Sequence, residues 1–218
     1  MVNLKNRKAR VEFAKNHIKW SKEDWKNVLF SDESKYCLFG SDGVQYIRRP
    51  INSRNWPKYQ IPTMKHGGGN VMVWGCFGLS GVGPLHRIDG IMDSEMYKDI
   101  LESKMIPHAR KSMPRKWIFQ QDNDPKHTSR LVTNFLRAKK ISVMNWPSQS
   151  PDLNPIEHLW EELQRATKDI QVSNADEKFE TLQQAWLNIS PAKIDKLIES
   201  MPRRCKAVID SFGYPTKY

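Results

Sequence analysis

The sequence predicts an α/β domain: one mixed sheet with helices on both faces and a long loop inserted into it. Three observations carry this. Short apolar runs of strand length cluster early in the chain. Segments of helical period then alternate with further short strands, without the regular βαβ rhythm of a parallel sheet. A stretch at 50–69 obeys no period at all.

Residues 6–19 mix Lys and Arg with Val11, Phe13, Ala14 and Ile18, the pattern of a basic amphipathic helix. Residues 21–25, SKEDW, read as a cap followed by a short helical turn. NVLFSDE is a short β run ending at Asp32; KYCLFG, an SDG turn and VQYIRR follow, so that three antiparallel strands are expected. Residues 50–69 then carry three prolines, four basic residues and three consecutive glycines, which reads as a long functional loop or arm. NVMVWGCFG resumes the sheet, with a turn at LSGVG. Residues 94–111 place Met96, Ile100, Leu101 and Met105 at helical spacing. KWIFQQD is a short strand ending at Asp122, SRLVTNFLRAKK an amphipathic helix and ISVMNW a strand. A rigid PSQSPDLNP connection leads into the helix of IEHLWEELQRATKDI, and helices are expected again at 178–188 and 191–199 before an irregular tail.

The chain has 218 residues, enough for one substantial core, and its eight tryptophans and eight phenylalanines argue for a folded domain. The formal net charge of +11 favours a polyanionic partner, against the plainer reading of a solubilising basic surface. Cys37, Cys76 and Cys205 fit no zinc-knuckle spacing; they read as reduced, largely buried thiols of a reducing compartment. The start lacks the apolar core of a signal peptide, and the longest apolar run, VMVWGCFGL, is too short to span a bilayer, so no membrane partner is expected. No GxxxxGK[ST] occurs, so no nucleotide cofactor is expected either.

Three acidic residues stand out by context: Asp32 in VLFSDES, Asp122 in WIFQQDNDPKHTS and Glu157 in SPDLNPIEHLWEEL. Each has a plainer reading. Asp32 can be a turn residue bonding its own backbone. Asp122 has Asp124 beside it, where Asp-Pro is an ordinary turn signal; alternation puts Ile118, Gln120 and Asp122 on one face and Trp117, Phe119 and Gln121 on the other. Glu157 falls third after Asn154 and Pro155, the pattern of a capping box, and propensity does not separate that from a ligand role. His127 reads as a phosphate contact or as a cap for the helix that starts near Thr128. Carboxylates at the edges of apolar segments in a basic protein are what divalent metals at a phosphodiester require: hard oxygen donors, a few per ion, with substrate phosphate completing the shell.

The motifs LFSDES, HGGGNVMVWGCF, GPLHRIDGIMD, FQQDNDPKHTS and WPSQSPDLNPIEHLWEEL resemble, in order and over nearly all of the chain from about Trp25, the catalytic domain of Tc1/mariner-superfamily transposases, on the Tc1-like side. The resemblance implies an RNase H-like fold over 25–218, preceded by a basic helical lead-in at 1–24 and carrying an inserted clamp loop at 49–69. It implies a DDE triad at Asp32, Asp122 and Glu157, binding Mg²⁺ (Mn²⁺ can substitute), with two ions when DNA is bound. Thirty-four residues lie between Asp122 and Glu157, and with a final Glu this fits the Tc1-like pattern. The implied chemistry is cleavage at transposon ends followed by 3′-hydroxyl attack on a TA target, in the nucleus, by a homodimer or higher oligomer on double-stranded DNA. Arg48, Arg49, Arg54, Lys58, Lys65, Lys126 and His127 are the candidate DNA contacts, and Trp56 and Tyr59 the candidate partner contacts. No paired helix-turn-helix module precedes the catalytic region in these 218 residues, so recognition of one terminal sequence is not expected of them. A non-catalytic, host-adapted DNA-binding or assembly domain of the same origin is the alternative.

Overall fold

A computed structural model describes residues 2–38 and 69–218. The expected strand VQYIRR and the loop at 49–68 lie outside the described residues. The chain order is α1 (Leu4–His17), α2 (Lys22–Lys26), β1 (Val28–Cys37), β2 (Asn70–Gly78), β3 (Gly81–Ile88), α3 (Ser94–Ile100), α4 (Ile106–Ser112), β4 (Ile118–Gln120), α5 (Arg130–Ala138), β5 (Ser142–Val143), α6 (Ile156–Thr167), α7 (Ala175–Leu187) and α8 (Pro191–Asp210). The strands form one five-stranded sheet in the order β3-β2-β1-β4-β5. β1 pairs antiparallel with β2, and β2 with β3, whereas β1–β4 and β4–β5 are parallel.

Side-chain alternation along the central strand divides the core in two. Val28, Phe30 and Tyr36 pack in a cluster with Trp25, Phe13, Trp160 and Trp186, under α1, α2, α6, α7 and α8. Leu29, between them, packs on the opposite face with Trp74, Tyr97, Phe119 and Val132, under α3, α4 and α5. The expected mixed sheet with a helical layer on each side is thus the observed one. The basic lead-in contributes Phe13 and Ala14 to the first cluster. Cys76 and Cys205 are buried and Cys37 partly so, none in a disulfide.

Three local expectations need correction. NVLFSDE and the first residues of KYCLFG, to Cys37, form one continuous strand, Val28–Cys37, because β2 pairs with it from Phe30 to Cys37 and leaves no room for a turn. The helix over 94–111 is interrupted by a π-helical turn at Leu101–Met105, just before Pro107, whose missing N–H cannot join an unbroken ladder. The last helix runs to Asp210 rather than 199: Met201, Cys205 and Val208 extend its buried stripe past Pro202. At the β2–β3 hairpin, Leu79 and Ser80 form the tip and Gly81 takes φ 115°, a conformation open to glycine alone at little cost. Among the described residues no helix is long and apolar enough to cross a membrane.

Candidate active site

Strand register brings the first two acids together. The parallel ladder matches Val28 with Ile118, Leu29 with Phe119 and Phe30 with Gln120. Two residues past the last pair, Asp32 in β1 and Asp122, just beyond the end of β4, line the same cleft. The expected end of the strand at Asp32 is corrected: Asp32 lies inside β1, which runs on to Cys37. It is at the point where β4 stops and β1 continues, and so it opens onto a crevice.

The third acid arrives on α6. Ile156, Leu159, Trp160, Leu163 and Thr167 form its buried stripe. That stripe lays the helix on the Asp32 face of the sheet, with Glu157 at the first turn. Of the capping box that is the alternative reading of Glu157, the return bond is absent: Pro155 stands at the cap position and the Asn154 N–H goes to the Pro151 carbonyl at 2.8 Å. The Asn154 side chain donates to the Ser31 carbonyl at 3.4 Å and accepts from the Ile156 N–H at 3.4 Å. The Glu157 carboxyl lies against Asp32. Gly75, the cross-strand partner of Asp32, makes this approach possible, since a Cβ there would lie 2.6 Å from the Trp160 ring. The Trp160 indole N–H in turn donates to Asp32 Oδ2 at 3.4 Å.

Asp32, Asp122 and Glu157 all line one cleft of about 300 Å³, walled by Asn123, Asp124, Trp146 and the 147–151 segment. Burial, then the negative charges of Glu157, Glu33 and Asp122, push the Asp32 carboxyl well above the usual carboxylate range. Burial also raises Glu157, which sits within hydrogen-bonding reach of Asp32. Two carboxyls so placed share a proton in the absence of a cation. Asp122 behaves oppositely. Burial would raise it, but His127 at 2.6 Å and the Asp124 N–H at 2.9 Å outweigh this and hold it below its usual value.

His127 is 3% exposed, so the structure does not leave its ring free at the surface as a phosphate contact would be. Its Nδ1 faces Asp122, its Nε2 lies 3.1 Å from Glu33 without hydrogen-bond alignment, and its ring stacks on Tyr97 with centroids 3.9 Å apart. Burial would lower its pKa, but the bond to Asp122 and the nearby charge of Glu33 raise it to about 9. Tyr97 is fixed in turn by donating to Gln121 at 2.9 Å. Among the described residues no three Asp, Glu, His or Cys side chains converge tightly enough to chelate one ion as they stand. Asp122 being turned to His127 accounts for that.

The cleft wall is anchored from behind. The Arg10 guanidinium, buried in α1, donates to both carboxylate oxygens of Asp152 at 2.7 Å and to the carbonyls of Gln149 at 3.1 Å and Gly213 at 3.0 Å. Asp152 also accepts from the Thr216 N–H and hydroxyl at 2.9 Å, and Arg204 donates to its carbonyl at 2.7 Å. One polar knot thus joins the first helix, the wall and the tail.

Of the other candidates, Lys126 forms an ion pair with Asp124 at 2.8 Å. Arg48, Arg49, Arg54, Lys58, Lys65, Trp56 and Tyr59 lie outside the described residues. Sequence reasoning passed over Glu33, Tyr97, Gln121, Gly75 and the Arg10–Asp152 pair. Strand parity could have put Glu33 opposite Asp32, but Arg10 was one cation among many on a basic helix.

Comparison with known proteins gives a consistent picture. Residues 27–179 match the DDE superfamily endonuclease family. The chain is 60% identical over 218 residues to the Tcb1 transposase of Caenorhabditis briggsae and 56% identical over 217 residues to the Tc1 transposase of Caenorhabditis elegans, covering 80% of each. In fold it is similar to the Mos1 mariner transposase. The TM-score is 0.84 at 17% identity against the paired-end complex with Mn, over 65% of that chain, and 0.79 at 17% identity against the catalytic domain with raltegravir and Mg, over all of that chain.

Proposed function

The chain belongs to the DDE superfamily endonucleases, among the Tc1/mariner transposases, and on that premise we propose that the cleft of Asp32, Asp122 and Glu157 cuts DNA at transposon ends and joins the freed 3′ hydroxyl to a TA target. The observation that carries the assignment is the convergence of the three carboxyls, from β1, the end of β4 and the first turn of α6, on one cleft.

The donor set fits divalent ions. All three side chains offer hard oxygen, and two of them crowd each other so closely that burial and like charge favour their neutral forms. Asp32 and Glu157 would hold one such ion, with Asp122 joining on release from His127. Mg²⁺ is the expected metal, with Mn²⁺ able to substitute and two ions present when DNA is bound. When bound, divalent ions supply charge stabilisation at the phosphate and activation of the attacking oxygen.

The chain's own groups do the positioning. Trp160 orients Asp32 through its indole N–H. His127 keeps Asp122 anionic while Tyr97 holds the imidazole in place. Asn123 donates to the Trp146 carbonyl at 2.6 Å, which ties the floor of the cleft to its wall. The Arg10–Asp152 knot sets the wall against which DNA is laid.

The Mos1 structures contain paired ends with transposon DNA, and their likeness supports a homodimer or higher oligomer on double-stranded DNA for this chain. The segment 49–69, with Arg54, Trp56, Lys58, Tyr59 and Lys65, is proposed as the element that reaches a partner subunit or DNA, with Arg48 and Arg49 leading into it. Lys126 is proposed to meet DNA at the cleft edge. The expected place of action is the nucleus. The test is a nicking assay on pre-cut transposon-end duplex with and without Mg²⁺. Metal-dependent nicking and joining is the expected result; duplex binding without either, at any divalent concentration, would favour the non-catalytic alternative.

A further inference from the structure

Opposite the acidic cleft, at the N-terminal ends of the two parallel strands β4 and β5, lies a second hollow of about 470 Å³. Arg110, Arg115, Lys116, Lys139 and Lys140 line it, with Trp117 and a few neighbouring apolar and hydroxyl groups. All five cations are exposed. Glu102 engages Lys139 at 2.8 Å, while the other four have no acidic partner among the described residues. Gathering like charges around one concavity is unfavourable unless an anion fills it.

The rim of the hollow is set by a rigid helix end. Lys140 has φ 57°, in the left-handed region where glycine is the unstrained choice. Its geometry is fixed by a tight helix end, in which the Ile141 N–H bonds the Leu136 carbonyl at 3.0 Å and the Lys140 N–H bonds the Arg137 carbonyl at 3.0 Å. A lysine, rather than glycine, stands on this strained turn at the rim of the hollow.

We infer that this hollow is a second DNA seat, taking consecutive phosphodiesters of a duplex held away from the acidic cleft. The choice of DNA over another polyanion rests on the transposase reading above. The two arginines offer planar forks matched to phosphate oxygens, the lysines add point charge, and the half-exposed Trp117 ring provides an apolar floor for deoxyribose. The site takes backbone and reads no base, so it suits a duplex segment of any sequence.

The test compares the chain with a variant carrying R110A, R115A, K116A and K140A. A control variant removes the same charge from exposed positions on other helices: R165A, K168A, K196A and K206A. Because Arg110, Arg115, Lys116 and Lys140 are exposed and in no ion pair with a described residue, the first variant should keep the melting temperature of the parent. Two random-sequence probes are used, a linear 40-mer duplex and a covalently closed minicircle, which separate DNA ends from internal duplex as the source of the phosphates. The expected result is that the first variant loses about tenfold or more in affinity for both probes at 100 mM salt. Its log–log salt slope should become shallower by roughly three to four, as about 0.9 is lost per phosphate contact over four cations. Loss confined to the linear probe would keep the seat and assign it to DNA ends. Equal loss in the control variant, or unchanged binding in the first, would overturn the proposal, as would selective loss of binding to an acidic protein such as poly-glutamate with DNA binding intact. Retention of nicking with DNA affinity unchanged would refute the second seat alone. Loss of nicking in every protein, with the affinity difference preserved, would refute the catalytic reading and leave the seat standing.

Discussion

At the scale of single residues, Asp32 and Glu157, proposed above as metal ligands, are held together at the expense of stability. They are half-buried like charges within hydrogen-bonding reach, and each is pushed toward its neutral form. Asp32→Asn or Glu157→Gln removes that repulsion. Each should raise the melting temperature of the metal-free protein by a few degrees, about 1 kcal/mol, while abolishing cleavage. Mg²⁺ should raise the melting temperature of the parent chain and not of either variant, because only a folded, complete site gains from binding. A fall in stability on Glu157→Gln with activity retained would restore the capping role. Asp122→Ala should abolish cleavage, with Asp124→Ala milder, since Asp124 is already committed to Lys126. His127 adds a pH signature. Its folded pKa, about 9, lies above the ordinary 6.5. The stabilisation from its pairing with Asp122 and Glu33 is complete below about pH 6.5, declines above it and is gone beyond about 9. It amounts to at most about 3 kcal/mol. His127→Gln should flatten the fall in melting temperature between pH 6 and 10; an unchanged pH profile would show that the imidazole is not charged in the folded protein.

At the scale of elements, two contacts decide whether α6 and α1 sit correctly. α6 can approach the sheet because Gly75 leaves space for the Trp160 ring. A methyl at 2.6 Å from that ring must displace it, so Gly75→Ala should cost roughly 1–3 kcal/mol as overpacking does. By moving the Trp160 N–H off Asp32 it should also lower turnover more than DNA affinity, read from single-turnover cleavage and duplex binding measured in parallel. α1 is held by Arg10 on Asp152. Asp152→Ala leaves a fully buried guanidinium without its counter-charge and should cost about 3–5 kcal/mol in chemical denaturation. Burial opposes ionisation of Asp152, but Arg10 and Thr216 hold its pKa below the usual 3.8. This pair therefore stabilises the fold above about pH 4 and is lost as pH falls through the lowered value.

At the scale of the whole molecule, β1 and β2 bring their ends at Leu38 and Gly69 side by side: Cys37 pairs with Asn70, and the Leu38 N–H bonds the Gly69 carbonyl at 2.8 Å. A short link can therefore close the gap. Deleting residues 51–62 should leave a folded, metal-binding chain that fails to assemble two transposon ends, as sedimentation with paired-end DNA would reveal. Unchanged assembly and strand transfer would remove the proposed partner role of Trp56 and Tyr59. The net charge of +11 should make duplex binding fall by orders of magnitude between 50 and 200 mM salt if six or more phosphates are engaged.

The sequence by itself determined the helical and strand periods, the mixed sheet, the family and the three acidic contexts, because each is a local pattern: alternation, spacing or a run of motif. It left Glu157 divided between cap and ligand, since both need the same residue at the same helical position. In the tertiary structure the Asn154 N–H goes to the Pro151 carbonyl and the Glu157 carboxyl lies against Asp32, which supports the ligand role proposed above. Only the tertiary structure decided that Asp32 and Asp122 line one cleft, through a parallel register set by Val28–Phe30 against Ile118–Gln120. The burial of His127, the need for glycine at 75 and the pairing of Arg10 with Asp152 could not be read from the chain. Each depends on residues far apart in sequence meeting in space, and hydrophobic period carries no information about which polar group will find which partner.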